Sequence, residues 1–236
     1  MKKYFLFAVL LCLSVNISLA QPKGKMKSGV YGGVGYSFLI YTNSDVADIY
    51  PSFDFRTNTF NSEINPYLGL QLSEMVSLEF SPSFIYASSG GSTGFNYSSS
   101  VNPTYYYLPS PAYLYALPLN LKLKLFPFTK ASSIVSKGIF FGISAGPMFI
   151  REEYDNRIYT DETANIYINT RSVSNTLWAA NTLFSVGYAS NQQFSYGFEI
   201  GYRFVPLSIK RDYPLITSLA SNMNAVVLNI KIGVNF

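Results

Sequence analysis

The 236-residue chain has no histidine, one cysteine and one tryptophan, and only 13% of its residues are charged. Each shortage excludes something. Without histidine there is no Ser-His-Asp triad, no Cys-His pair, no imidazole-ligated zinc, and no imidazole acid or base near neutral pH. Cys12 lies in the apolar N-terminal stretch, so the remainder offers neither a disulfide nor a thiolate metal site. The charged share is about half the ~25% of soluble globular domains. No window after residue 20 holds the ~18 consecutive apolar residues of a transmembrane helix. Aromatics stand where charge is missing: 20 Tyr, 19 Phe and the one Trp make up 17% of the chain. Such a composition is not that of a disordered tail.

Residues 1–20, MKKYFLFAVLLCLSVNISLA, pair the positive Lys2 and Lys3 with an apolar core from Tyr4 to Leu13. Ser18 and Ala20 then supply small side chains, so an export signal cleaved after Ala20 is expected. The apolar run falls well short of the ~20 residues of a membrane anchor. A short basic tail, 21–28, follows with Lys23, Lys25 and Lys27, and the folded domain is expected over 29–236. Losing Lys2 and Lys3 lowers the formal charge from +4 to +2, and losing the tail lysines lowers it to −1. No nucleic-acid footprint is left.

From residue 30 the dominant pattern has period two, the side-chain period of a strand. Val30, Val34, Tyr36, Phe38 and Ile40 alternate with Tyr31, Gly33, Gly35 and Ser37. Comparable runs cover 64–72, 76–86, 113–125, 139–149, 178–188, 194–204 and 226–236. In the clearest, Leu117, Leu119, Leu121, Leu123 and Leu125 alternate with Pro118, Asn120, Lys122 and Lys124. Between the runs, 41–61, 87–112, 150–174 and 206–222 are long, while 73–75 and 189–193 are tight and 127–137 is intermediate. This rhythm predicts an all-β fold, an eight-stranded antiparallel up-and-down transmembrane β-barrel with both ends of the barrel chain on one side.

The pattern leaves open which face is outside. A soluble periplasmic ligand-binding barrel would turn the oily face inward. The inverse is favoured because the oily faces are almost free of charge over about ten residues, the length of a bilayer-spanning strand. Tyr and Phe also collect at strand ends, as in interfacial girdles. The other face carries sparse charge of both signs: Glu63, Glu79, Lys122, Lys124, Glu199, Arg203 and Lys231. These are expected to form a paired network filling a narrow lumen, the alternative being a small-solute channel lined by the same groups.

Along its mature length the chain resembles exported outer-membrane barrels of the OmpA/OmpX type, and especially the PorT-like group. The resemblance lies in 113–126 (YLYALPLNLKLKLF), 138–149 (GIFFGISAGPMF) and the terminal VVLNIKIGVNF. It implies that Leu228, Ile230, Ile232, Val234 and Phe236 form the C-terminal signal read by the barrel-assembly machinery. It also implies a location in the bacterial outer membrane, among its lipid and lipopolysaccharide, and a role in outer-membrane protein secretion beside an envelope protein partner. The peptidoglycan-binding domain of full-length OmpA proteins has no counterpart in this sequence.

Other chemistry is thinly represented, and no cofactor is implied. A Ser-Lys dyad using Lys122 or Lys124 is formally open, a weak case in a chain with many serines. Gly90-Gly91-Ser92-Thr93-Gly94 lacks the Gly-Lys-Ser/Thr ending of a phosphate cradle and reads as a loop tip. Glu152, Glu153, Asp155, Asp161 and Glu162 could hold a divalent cation, yet their spacing is not that of a calcium loop and Arg151 and Arg157 intervene. A solvated acidic loop is expected there. Segment 87–112 carries no charge, and Tyr105, Tyr106 and Tyr107 within it are the candidate recognition surface, since Tyr gives contact area at low entropic cost.

Overall fold

Period-two alternation becomes eight barrel strands in the computed structural model. It describes residues 29–51, 53–54, 59–73, 75–89, 95–98, 104–128, 138–160, 166–190, 194–210 and 215–235. The export signal, the basic tail, the 90–94 glycine segment, Asp161, Glu162 and Phe236 lie outside the described residues. The strands are β1 (Val30–Tyr41), β2 (Ser62–Gln71), β3 in two pieces (Val76–Pro82 and Phe84–Ser88) and β4 (Tyr113–Leu125). They continue with β5 (Gly138–Tyr159), β6 (Tyr167–Ala189), β7 (Phe194–Phe204) and β8 (Ala225–Asn235). Each pairs antiparallel with its neighbour in sequence, and β8 closes on β1 from Tyr31↔Asn235 to Tyr41↔Ala225. Closure leaves no exposed sheet edge within the wall.

The break in β3 has a local cause. Leu68 faces Phe80 and Ile64 faces Phe84, so the register runs through the gap without a slip. Pro66 and Pro82 stand there, and neither has an N–H to give to the ladder.

The oily faces point outward. Val34, Phe38, Ile64, Leu68, Phe80, Leu121, Phe141, Ile143, Phe198, Ile230 and Ile232 are all exposed, Ile232 by 61%. Toward the long-loop end the belt becomes aromatic, with Tyr36 against Phe38, Tyr86 against Tyr115, Phe149 against Trp178 and Tyr202 against Phe204. Such a band, edged by rings, is the exterior of a barrel that spans lipid. No helix among the described residues is long and apolar enough to cross a membrane.

At the long-loop end the structure departs from the expected irregular loops. The described residues of 150–174 are mostly strand rather than loop: β5 and β6, at 22 and 23 residues, keep one register from Gly138↔Ala189 to Ile158↔Asn169. At about 3.3 Å per residue each is roughly 70 Å long, whereas about 9–11 residues span a bilayer. The upper half of this hairpin therefore projects beyond the belt. Within 87–112 the described strand Phe95–Ser98 pairs antiparallel with Thr104–Pro109, and the latter pairs with the top of β5. Tyr and Thr supply strand propensity there without an apolar stripe, so hydrophobic periodicity does not reveal these strands.

The described parts of the two remaining long segments fold inward over the mouth. The first carries α1 (Ser44–Ile49), capped by the Asn43 side chain on the Asp45 N–H at 3.0 Å, and a two-residue ribbon, Phe53–Asp54 with Thr59–Phe60. The second carries the single turn α2 (Ile216–Leu219).

Candidate functional site

The inward faces of the strands build a layered lumen. The layer nearest the short turns is aromatic. Tyr31, Tyr67, Phe126 and Phe140 are buried there, and Tyr31 Oη donates to Ser77 Oγ at 3.1 Å. Room for such large inward rings comes from glycine on adjacent strands. A Cβ on Gly69 would lie 2.1 Å from the Tyr31 ring, and one on Gly187 2.5 Å from the Phe140 ring.

Above it lies a five-residue ionic layer. Lys124 and Lys231 both donate to Glu79, Lys231 at 2.5 Å, and Lys122 donates to Glu199. Lys231 also lies 3.6 Å from Glu199. All five side chains are buried, and Glu79 is 0% exposed. Alternation on β3, β4, β7 and β8 directs these groups inward; closure of the barrel selects their partners. Lys122 and Glu79 face each other across the β3–β4 ladder, yet Lys122 reaches across the lumen to β7 and Glu79 reaches across to β8. Lys124 lies over the rings of Tyr31, Tyr67 and Phe140, with centroids at 5.4, 5.9 and 5.0 Å.

A third layer joins Asn181 to Asn120 at 2.5 Å and Asn65 to Ser37 at 3.3 Å. Over it, Arg203 on β7 spans the lumen to both carboxylate oxygens of Glu63 on β2 at 2.8 and 2.9 Å, and Ser83 donates to the same carboxylate at 2.6 Å. All seven charges read from the sequence are therefore in the interior, five in one cluster and two in a separate pair. The dyad left open by the sequence is not assembled at Lys124. Its cross-strand partner is Ser77, but the ammonium is on Glu79 and the serine accepts from Tyr31.

The uppermost layers were missed by the alternation. Leu39, Ile85, Ala87, Leu114, Ala116, Met148 and Ile150 point inward and pack with Val46, Tyr50, Ala220 and Met223 from the infolded segments. The signal that reveals them is uninterrupted apolar sequence at strand ends, as in Phe38-Leu39-Ile40-Tyr41 and Ala225-Val226-Val227-Leu228. Such runs mark strands buried on both faces.

Glu152 is a correction. It does not sit in a solvated acidic loop but is 1% exposed inside the mouth. Residue parity on the prolonged β5 turns it inward, while Arg151 and Glu153 pair outside at 2.6 Å. Its carboxylate accepts from Tyr50 Oη at 2.6 Å, from the Thr217 N–H at 2.7 Å and from the Ile216 N–H at 3.3 Å. Asn175 donates to Thr217 Oγ and Ser218 Oγ, and Asn61 donates to the Tyr50 carbonyl. Burial, followed by the Glu152 charge, holds the Tyr50 phenol well above the usual tyrosine range, so it remains a donor. Tyr50→Phe should lower stability by about 1–3 kcal/mol by stripping a donor from a buried carboxylate, read as a lower urea midpoint. The contribution tied to this proton is present below the unfolded tyrosine value of about 10. It is lost as pH rises through the higher folded value.

Among the described residues no three His, Cys, Asp or Glu side chains gather as a metal site. Tyr105, Tyr106 and Tyr107 lie on the Thr104–Pro109 strand, opposite Tyr97, Asn96 and Phe95, with Tyr106 and Tyr107 also facing Tyr159 and Ile158. Their side chains lie outside what the structure describes. Ile230 and Ile232 face outward on β8, opposite Tyr36 and Val34 of β1.

No family model and no curated protein matches the chain. Among solved structures it is similar to Ail, the attachment invasion locus protein of Yersinia pestis, at 9% identity and a TM-score of 0.43. That alignment covers 89% of this chain and 97% of that one. The outer membrane protein OprG from Pseudomonas aeruginosa aligns at 12% identity and a TM-score of 0.37, over 89% of this chain and 95% of its own. Acinetobacter baumannii CarO aligns at 12% and 0.36, over 91% and 100%. At these values the fold rests on the geometry above: this chain is an eight-stranded antiparallel transmembrane β-barrel.

Proposed function

We infer that this protein is a non-enzymatic integral barrel of the bacterial outer membrane, acting through the surface at its long-loop end rather than through its lumen. The observation that carries this reading is the closure of the lumen in series. A solute entering from the long-loop side meets the Tyr50–Glu152 plug and its apolar packing, then the Glu63–Arg203 strut, then the Lys–Glu cluster. An eight-stranded barrel is just wide enough for side chains to fill. Outside it, the β5–β6 hairpin extends the sheet well beyond the apolar belt. Short turns then face the periplasm and the projecting sheet faces outward, as in outer-membrane barrels generally.

Planar-bilayer recording tests this reading against a small-solute channel. The purified barrel should give no stable conductance steps, and liposomes containing it should not swell in a pentose solution. Reproducible steps from the wild-type protein would replace the interaction reading with the channel. A narrower version, an accessory of outer-membrane protein secretion, is supported by the sequence resemblance to PorT-like proteins. Assembly through Leu228, Ile230, Ile232, Val234 and Phe236 has the same support.

A further inference from the structure

Counted over the described residues, the five-residue ionic layer is not neutral. Three ammonium groups, Lys122, Lys124 and Lys231, share two carboxylates, Glu79 and Glu199, whereas the Glu63–Arg203 pair above them balances. A buried charge without its counter-charge is costly. This one lies under a small open pocket at the short-turn end, with a cavity volume of about 40 Å³. Lys124, Lys231 and Glu199 line it, with the rings of Tyr31, Tyr67 and Phe140 beside them. Among the described residues Lys124 donates to Glu79 alone, and an ammonium has three donors.

The geometry points to a binding site for one small organic monoanion, a carboxylate carried on an apolar or aromatic body. The ligand's charge would match the single surplus positive charge. Its two oxygens would take the unused N–H donors of the lysines, and its body would lie against the rings that already flank them. Above the site the Glu63–Arg203 pair and the Tyr50 plug close the lumen. The ligand enters and leaves by the short-turn end, so the pocket binds without transporting.

The test is a calorimetric titration of sodium benzoate, with neutral benzamide as the matched control, into the barrel purified in a zwitterionic detergent. Benzoate should bind saturably at one site per barrel, and benzamide at least about tenfold more weakly. Lys124→Met removes the surplus and should weaken benzoate about tenfold or more, while Glu199→Gln raises it by one and should tighten binding. Equal binding of benzoate and benzamide, no saturable benzoate binding, or a Lys124→Met barrel that binds as the wild type would each overturn the site. The benzoate and benzamide comparison needs only the wild-type barrel, so it decides even if a variant does not refold.

Discussion

Glu79→Gln is expected to cost about 3–5 kcal/mol, the usual penalty for removing one partner of a buried ion pair. The replacement keeps nearly the same shape, so the loss is of charge rather than packing. Glu79 is the carboxylate on which Lys124 and Lys231 both converge. Without its charge Lys124 has no carboxylate, and Lys231 keeps only Glu199 at 3.6 Å. The surplus in the layer doubles from one positive charge to two. Adding Lys124→Met to Glu79→Gln returns the surplus to one and should recover most of the loss, a non-additivity that a double-mutant cycle measures. The observable is the urea midpoint in micelles, followed by the heat-modifiable mobility of the folded barrel. A double variant no more stable than Glu79→Gln would show that Glu79 acts through packing and that the ionic description is wrong.

Leu121→Arg should cost about 2–4 kcal/mol if the belt faces lipid, the depth-dependent penalty for arginine near the bilayer midplane. Leu121 is 51% exposed in the middle of β4, with Phe80 of β3 beside it and Ala145 of β5 on its other flank. On a soluble barrel that position would meet water, and the same change would stay within about 0.5 kcal/mol of neutral. Thr170→Arg, on the exposed part of β6 beyond the belt, is the control and should be near neutral in either case. Equal and small effects at the two sites would return the protein to the soluble ligand-binding reading.

Legibility followed the physics of each level. The eight strands were plain because alternation with period two is local, and it persists wherever one face of a strand meets lipid and the other a polar lumen. Each of the seven inward charges could be named for the same reason, since parity along one strand sets its direction. The pairing could not. Lys122 has Glu79 directly opposite on the neighbouring strand yet binds Glu199, because closure brings β7 within reach across the lumen. Nor could the upper lumen be read, since inward Leu39, Ile85 and Ile150 sit beside outward apolar neighbours and the alternation disappears. Glu152 was misplaced on the same account. An acidic stretch with flanking arginines looks solvated until a prolonged strand assigns it a parity.

The amino-acid order alone thus determined the barrel architecture, through nearest-neighbour periodicity, and favoured the outward turn of the oily belt, through nearly charge-free faces of bilayer-crossing length. The missing histidine excluded imidazole chemistry before any coordinate was known. Only the tertiary structure decided that the scarce charges form a five-residue cluster and a separate strut, and that one positive charge is left over beneath an aromatic pocket. Those are properties of a closed cross-section. They depend on which strands face each other across a lumen, and no local pattern encodes that distance.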